Sequence, residues 1–470
     1  MILRVEDKTF DASVPIVIIG AGACGICAAL TAKENGVESL VLERDETPTG
    51  SSALSTCLIP AAGTRLQRAE GVEDSVDRFA ADLIAKAKDQ NDPKMARWVA
   101  EASGPTVDWL VDTVGLPLSL VKGFKYPGHS TYRMHGSPNR TGSELMAALT
   151  GAIARENIDI ATSAHVTGLF ANEAGHVRGV RATRPDGATE DIGCDALILA
   201  CSGYGGNPEM IREYIPEMAD AIYFGHAGNQ GDAVLWGREL DAATADLGSY
   251  QGHGAVTHPH GTLVFWGVLT EGGFQVNLQG KRFSNEVRGY SEQAVEVIDQ
   301  PDHVVWEIWD HEGHELGLSF QDYREGVEMG AIREAGSLKE IVEQSGLPLD
   351  ALSETFEDVA ACIRRGRKDD WGREWQGVEP LEPPFHFARV TGALFHTQGG
   401  LVVDGKARVL REDGTPLPNL FAGGGAARGL SGPSRWGYLS GNGLLTATVL
   451  GRVAGREAAR LVEGQHCRLG

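Results

Sequence analysis

The sequence predicts an α/β fold: a domain on a largely parallel sheet, assembled from separated chain segments, with an α+β cap domain inserted into it. Three observations carry this. Four β-branched residues, Ile16–Ile19, run into a glycine-rich turn and an alanine-rich helix, the strand–turn–helix order of a βαβ unit. A second apolar strand, Ala196–Ala200, again ends in small residues far downstream. Between about residues 245 and 385 the chain becomes richer in aromatic and charged residues, and glycine-rich texture resumes afterwards.

The turn Gly20–Ala21–Gly22–Ala23–Cys24–Gly25 has G-x-G-x-x-G spacing. Gly20 makes the tight turn, Gly22 lets backbone approach a pyrophosphate, and Gly25 lets helix and strand pack closely. The diphosphate belongs on the N-terminus of the helix that continues through 26–35, where free N–H groups and the dipole favour negative charge. The strand Ser39–Leu42 is followed by Glu43, placed to accept from a ribose 2′-OH and to repel a 2′-phosphate. A Rossmann-like dinucleotide site that does not take an NADP-type ligand is therefore expected.

At 470 residues the chain has room for two or three domains with substantial cores. A net charge of −22 argues against nucleic acid or an anionic membrane as partner. Cysteines stand at 24, 27, 57, 194, 201, 362 and 467, and the Cys24-x-x-Cys27 pair falls inside the turn and helix, where packing explains it better than redox or metal chemistry. No metal site is expected. Met1–Ser13 is polar, and no run reaches the roughly 18 apolar residues that span a bilayer. The expectation is a soluble cytoplasmic protein.

Along the chain, Thr49–Pro60 is small and hydroxyl-rich, suited to lie close against a flat ligand. Helical periodicity covers 74–90 and 93–114, with a further helix at about 143–155. The loop 122–141 gathers Tyr126, His129, Tyr132, Arg133 and His135, a composition typical of sites. Strands are expected at 158–161, 165–170 and 196–200, with a hairpin turn at Pro185–Gly187. No second G-x-G-x-x-G unit appears, so no separate nicotinamide domain is expected. In the 245–385 segment, helices are expected at Ser337–Gly346, with Ser337 and Glu340 as a capping box, and at Asp350–Gly366. The closing stretch 386–470 ends in an apolar helix from about Asn442, whose N-terminus suits an anionic reduced ring. The expected layout is a nucleotide domain from 1–244 and 386–470 around a cap at 245–385.

GAGACG with Glu43, the SSALS segment, ALILACSGYGGN, GKRFSNE at 280–286, and FHTQGGLVVD leading to NLFAGGG and SGNGLL occur in one order. In this the chain resembles the FAD-dependent fumarate reductase/succinate dehydrogenase flavoprotein superfamily. The resemblance implies FAD spread across the Rossmann-like domain. It implies contacts from Gly20, Gly22, Ala23, Cys24, Gly25, Glu43, Arg44, Ser51, Ser52, Ser55, Thr56, Val166, Ser202, Gly203, Gly424, Asn442 and Leu444. Members with covalent FAD use a histidine in the stretch matching 49–60; none is present here, so FAD is expected to be noncovalent.

The active-site pattern is similar to the 3-ketosteroid Δ1-dehydrogenases and related cyclic-ketone desaturases. Where fumarate reductases carry a proton-donating arginine after the Asn-Glu pair, this chain has Tyr290, which the resemblance makes a base. Where they clamp substrate with an arginine before the last helix, it has Tyr438, which with the Gly441 N–H would polarise a ketone. Tyr132 is a relay by looser analogy. His396 follows the dicarboxylate enzymes, and Arg435, with Arg133 behind it, suits a substrate carboxylate. A phenol with its reference pKa near ~10 is about one part in a thousand ionised at neutral pH, so the base needs a relay or a charge partner.

The function expected is an FAD-dependent dehydrogenase that introduces an α,β double bond into a cyclic ketone. A small keto acid such as 4-oxocyclohexanecarboxylate would use both tyrosines and an arginine, and the electron acceptor is left open. The alternative enzyme is a reductase or dehydrogenase of unsaturated carboxylic acids. A flavin-binding electron-transfer subunit is the alternative of another class, disfavoured by the absence of iron–sulfur spacing and of C-x-x-C-H.

Overall fold

Strand Ala12–Ile19 is the centre of the larger sheet, with Ile16, Val17 and Ile18 fully buried. Each such side chain contributes about 1.5–3 kcal/mol relative to exposure. In this computed structural model, which describes residues 1–5, 8–122 and 124–469, the strand lies parallel to Ser39–Leu42 on one side and to Thr189–Leu199 on the other. Asp159–Ala161 extends the parallel set beyond Ser39–Leu42. The long strand Thr189–Leu199 does two jobs. Its first half pairs antiparallel with Val177–Thr183, and its last residues pair parallel with Pro416–Ala422, in register Leu197 to Leu420. Pieces from three distant stretches thus complete one nine-stranded sheet.

Two compact units result: residues 1–215, 225–250 and 396–470, and residues 216–224 and 251–395. The expected layout placed the borders at 244/245 and 385/386 and assigned no segment before 245 to the cap. Strand Phe385–Thr397 belongs to the second unit's sheet up to Phe395, which is why composition alone sets that border earlier.

In the first unit, helix Ala23–Glu34 leaves the glycine turn and packs against the C-terminal helix Asn442–Leu469. Their approach is close because Gly451 and Gly455 sit one turn apart, where any Cβ would run into the carbonyls of Cys24 and Ala28. Cys24 and Cys27 are buried in this seam, and burial pushes both thiols well above their ordinary value, as expected of packing residues. Six cysteines are free, and Cys467 lies outside the described side chains.

In the second unit, Phe385–Thr397 is the spine of a six-stranded sheet. It pairs with Val304–Trp309, Ile332–Ala335, Tyr250–Thr257 and Ile222–Tyr223, while Phe274–Val276 joins through Val304–Trp309. Helices Leu338–Ser345 and Leu349–Arg365 contribute to its core around Phe274, Ile341, Leu352 and Phe387. The expected capping box at Ser337 is half formed. Ser337 Oγ accepts from the Glu340 amide and donates to the Glu340 carboxylate, which accepts from the Gly336 N–H rather than from the Ser337 N–H. No helix among the described residues is long and apolar enough to cross a membrane.

Candidate active site

The glycine turn takes the shape its spacing demands. Gly20 has φ +101°, and a Cβ on Gly25 would overlap the Gly20 carbonyl oxygen, so strand and helix meet at backbone distance. The Glu43 carboxylate accepts from the Ala21 amide at 2.8 Å and from the Asp45 amide at 3.0 Å, which fixes it beside the turn with lone pairs left for hydroxyl donors. Ser52 Oγ accepts from the Ala23 amide at 3.0 Å in the first turn of the helix.

Around this turn the other expected cofactor residues divide. Ser51 accepts from the His226 amide and from Asn229 Nδ2, tying the hydroxyl-rich segment to the loop 225–231. Arg44 lies so tightly over Gly228 that no side chain fits there. Ser55 donates to the Ser52 carbonyl. Ser202 holds φ +65° and Gly203 abuts Thr397 Oγ1, which gives the strand end at Leu199 its sharp exit. Val166 is buried in strand His165–Ala171. Gly424 turns with φ +58° at the Cys24 side of the seam, and Leu444 is partly buried in the C-terminal helix. Asn442, fully buried at the start of that helix, has neither amide atom hydrogen-bonded, and a polar ligand is what such a side chain lacks. The donor-rich turn, the Glu43 carboxylate and the orphaned Asn442 amide together fit a dinucleotide with a polar ring system.

At the N-terminus of the C-terminal helix, the buried Tyr438 hydroxyl accepts from the Gly443 N–H at 3.5 Å, and the Gly441 amide acts on the same oxygen. Burial pushes the phenol above its ordinary pKa, so it stays protonated and able to donate. The expected partnership of Tyr438 and Gly441 is therefore a serial one: the amides bear on the phenol rather than standing beside it. His396 meets Tyr438 edge-on at 5.5 Å, and its Nε2 faces Gly443, where no Cβ could fit. Burial pushes this imidazole down to about 4, so it is neutral. Gln398 Nε2 stands 3.1 Å from His396 Nδ1, and Gln398 Oε1 accepts from Ser431 Oγ at 3.0 Å.

The aromatic loop is structural where it is most polar. Arg133, 1 % exposed, pairs with Asp74 at 3.0 Å and Asp82 at 2.5 Å and lies over the Phe79 ring. Its carboxylate partners here come from the protein itself. His129 donates to, or accepts from, no charged group: its Nε2 meets the Ser440 carbonyl at 3.1 Å, linking the loop to the turn after Tyr438. Tyr132 is half-buried and its carbonyl accepts from Gln67. Arg435 occupies a one-turn 3₁₀ helix, half-buried, and makes no ion pair among the described residues.

In the second unit, Tyr290 begins helix Tyr290–Ile298 and is buried. Its ring stacks on His253 at 5.2 Å and 16°, His253 stacks on Phe395 at 5.3 Å and 15°, and Trp266 meets both Tyr290 and His253 edge-on. The Ala255 amide donates to His253 Nδ1, leaving Nε2 as the protonated nitrogen, and burial pushes the ring down to about 3. Arg282 pairs with Glu286 at 2.7 Å just before this helix, joined by Arg373 at 3.0 Å and by Asp369. Burial pushes the Glu286 carboxyl up, but the two guanidiniums outweigh it and hold the group ionised. His253 was not singled out from the sequence; a lone histidine between glycines in a strand carries no signal until its ring partners are known. Among the described residues no cluster suited to a metal ion is found.

Known proteins with this arrangement agree on the cofactor. The family model described as "FAD binding domain" matches residues 15–444. Among curated relatives, a probable fumarate reductase of Shewanella frigidimarina is 29% identical over 95% of this chain and 74% of its own length. A urocanate reductase of Eggerthella lenta is 28% identical over 97% of this chain and 76% of its own. Among solved structures, the open conformation of a flavocytochrome c3 fumarate reductase superposes with a TM-score of 0.81 at 27% identity, covering 96% of this chain and 79% of that one. The 3-ketosteroid-Δ4-(5α)-dehydrogenase of Rhodococcus jostii RHA1 gives 0.76 at 24%, covering 96% and 98%. The chain belongs to the FAD binding domain family and is an FAD-dependent oxidoreductase, similar in sequence to fumarate and urocanate reductases and in fold to a 3-ketosteroid dehydrogenase.

Proposed function

We propose that this enzyme desaturates a cyclic ketone next to its carbonyl group, with a small keto acid such as 4-oxocyclohexanecarboxylate as the type of substrate. The observation that carries the reading is Tyr438: a phenol kept protonated, not a guanidinium, stands at the helix N-terminus beside a neutral His396. Such a pair suits an uncharged carbonyl oxygen, whereas a second carboxylate would call for a cation.

The residues then divide the work. Tyr438 donates to the ketone oxygen as it gains enolate charge, and the Gly441 and Gly443 amides support the phenol from behind. Tyr290, in its phenolate form, takes the α-proton and becomes the neutral phenol, its ring held flat against His253. Bound FAD supplies the acceptor for the hydride that leaves the β-carbon, so the substrate loses one proton and one hydride and gains the double bond. The glycine turn and Glu43 hold the dinucleotide, and Arg435 holds the carboxylate of a keto acid.

A second reading, reduction or dehydrogenation of an unsaturated carboxylic acid, is favoured by the fumarate and urocanate reductases among the relatives and by Arg435, which makes no ion pair among the described residues. Anaerobic mixing of the holoenzyme separates the two. Bleaching of the flavin band by 4-oxocyclohexanecarboxylate but not by succinate supports the ketone reading. Bleaching by succinate alone, or reoxidation of reduced enzyme by fumarate with no response to any cyclic ketone, overturns it.

A further inference from the structure

Beneath the Tyr290–His253 stack lies a buried hydrogen-bonded hub. Gln275, fully buried, uses every polar atom of its side chain. Nε2 donates to the Gly254 carbonyl at 2.8 Å and to Glu307 Oε2 at 2.7 Å, and Oε1 accepts from Gln293 Nε2 at 2.8 Å. Gln293 Oε1 in turn accepts from Ser284 Oγ, and the Gln275 amide N–H donates to Glu286 Oε1. The backbone acceptor at Gly254 fixes which way the Gln275 amide faces. Gly254 follows His253 in its strand, and Gln293 lies one turn after Tyr290 in its helix. One amide therefore ties together the two elements whose rings stack, and Glu307 is the wall behind it.

Glu307 is the unusual member. It is fully buried, and among the described residues its Oε1 has no hydrogen-bond partner and no cation pairs with it. The charged groups nearby are Glu286, already claimed by Arg282 and Arg373, while the Tyr323 phenol, held by Trp309 and His314, senses the Glu307 charge from the helix Gln321–Glu328. A carboxylate here would sit unscreened beside the Glu286 carboxylate.

We propose that Gln275 and Glu307 are positioning residues for Tyr290: Glu307 in its neutral form seats Gln275, and Gln275 holds the Tyr290 helix and the His253 strand in the stacked arrangement. Burial, with Glu286 adding to it, pushes the Glu307 carboxyl up to about 8, so the seat is intact at neutral pH and fails on the alkaline side. When Glu307 ionises, its carboxylate accepts more strongly from Gln275 Nε2, draws that amide towards itself, and weakens the Gln275 bonds to Gly254 and Gln293. The kinetic consequence rests on Tyr290 being the base; the structural consequence does not.

The test uses the FAD-loaded enzyme, Glu307→Gln and Gln275→Leu. Hydrogen exchange followed by mass spectrometry on the peptide covering 286–298, corrected for intrinsic rates, should show protection falling severalfold from pH 7 to 9 in the wild type and staying flat in Glu307→Gln. With 4-oxocyclohexanecarboxylate, kcat should decline with a midpoint near 8 in the wild type, and that limb should vanish in Glu307→Gln, whose kcat at pH 7 stays within about twofold. Gln275→Leu should lower kcat at least about tenfold with little change in KM. The same exchange profile in wild type and Glu307→Gln overturns the proposal. A difference in exchange with no turnover of any ketone leaves the hub standing and removes the ketone reading instead.

Discussion

Tyr438 and Arg133 show how burial decides the role of a side chain. Tyr438 is buried with backbone amides at its oxygen, so its chemistry is that of a protonated donor. Tyr438→Phe removes one donor from the developing oxyanion and should cut the rate of ketone-driven flavin reduction by about 10²-fold, read by stopped-flow, with the flavin spectrum unchanged. Arg133 is equally buried but already has its carboxylates. Arg133→Met leaves Asp74 and Asp82 facing each other without a cation, and should cost about 3–5 kcal/mol in urea unfolding while leaving KM for a keto acid unchanged. The mirror case is Arg435: with no ion pair of its own, Arg435→Met should raise KM for a keto acid at least tenfold, spare cyclohexanone itself, and leave the unfolding midpoint in place.

At the scale of elements, the segments with strong local rules were legible in the sequence. The glycine turn, the strand before it and Glu43 after it follow from steric and hydrogen-bonding demands within a few residues, and Gly20 and Gly25 meet them as read. The packed seam between helices Ala23–Glu34 and Asn442–Leu469 was not legible, because Gly451 and Gly455 matter only once the other helix is against them. The same holds for His253 and for the Gln275–Glu307 hub, whose members come from separate strands and a helix. The partners of Arg133 were hidden for a related reason: its aspartates lie far from it in sequence. Titration of the second unit's core carries a signed consequence. Glu307 has its folded pKa raised to about 8 from an unfolded value near ~4.3, so its contribution to stability is complete below the unfolded value and is lost as pH rises through about 8. His129, His253 and His396 run the other way: their folded values are lowered, so their contribution is present above ~6.5 and is lost as pH falls toward 3 to 4. Between pH 6.5 and 8 the glutamate acts without them, and there the melting temperature of Glu307→Gln should fall less steeply than that of the wild type.

On the scale of the whole molecule, a family fold is kept, and the proposed reading places tyrosines, Tyr290 and Tyr438, where the resemblance leads one to expect arginines in dicarboxylate reductases. The sheet assembled from distant segments, the glycine turn and the family match fix the cofactor as FAD. What the fold does not fix is the substrate, because one flavin-binding framework serves carboxylates and ketones alike and the difference lies in a few side chains. Tyr290 and Tyr438 were singled out by motif position; their surroundings, a ring stack in one unit and a helix N-terminus in the other, came only from the structure.

The most direct test of the central claim is the rate of anaerobic flavin bleaching by 4-oxocyclohexanecarboxylate in Tyr290→Phe beside the wild type. Loss of the base should slow bleaching by about 10²-fold or more while the ketone still binds and perturbs the flavin spectrum. Bleaching of Tyr290→Phe at the wild-type rate would contradict the assignment of the phenol as base and, with it, the ketone chemistry.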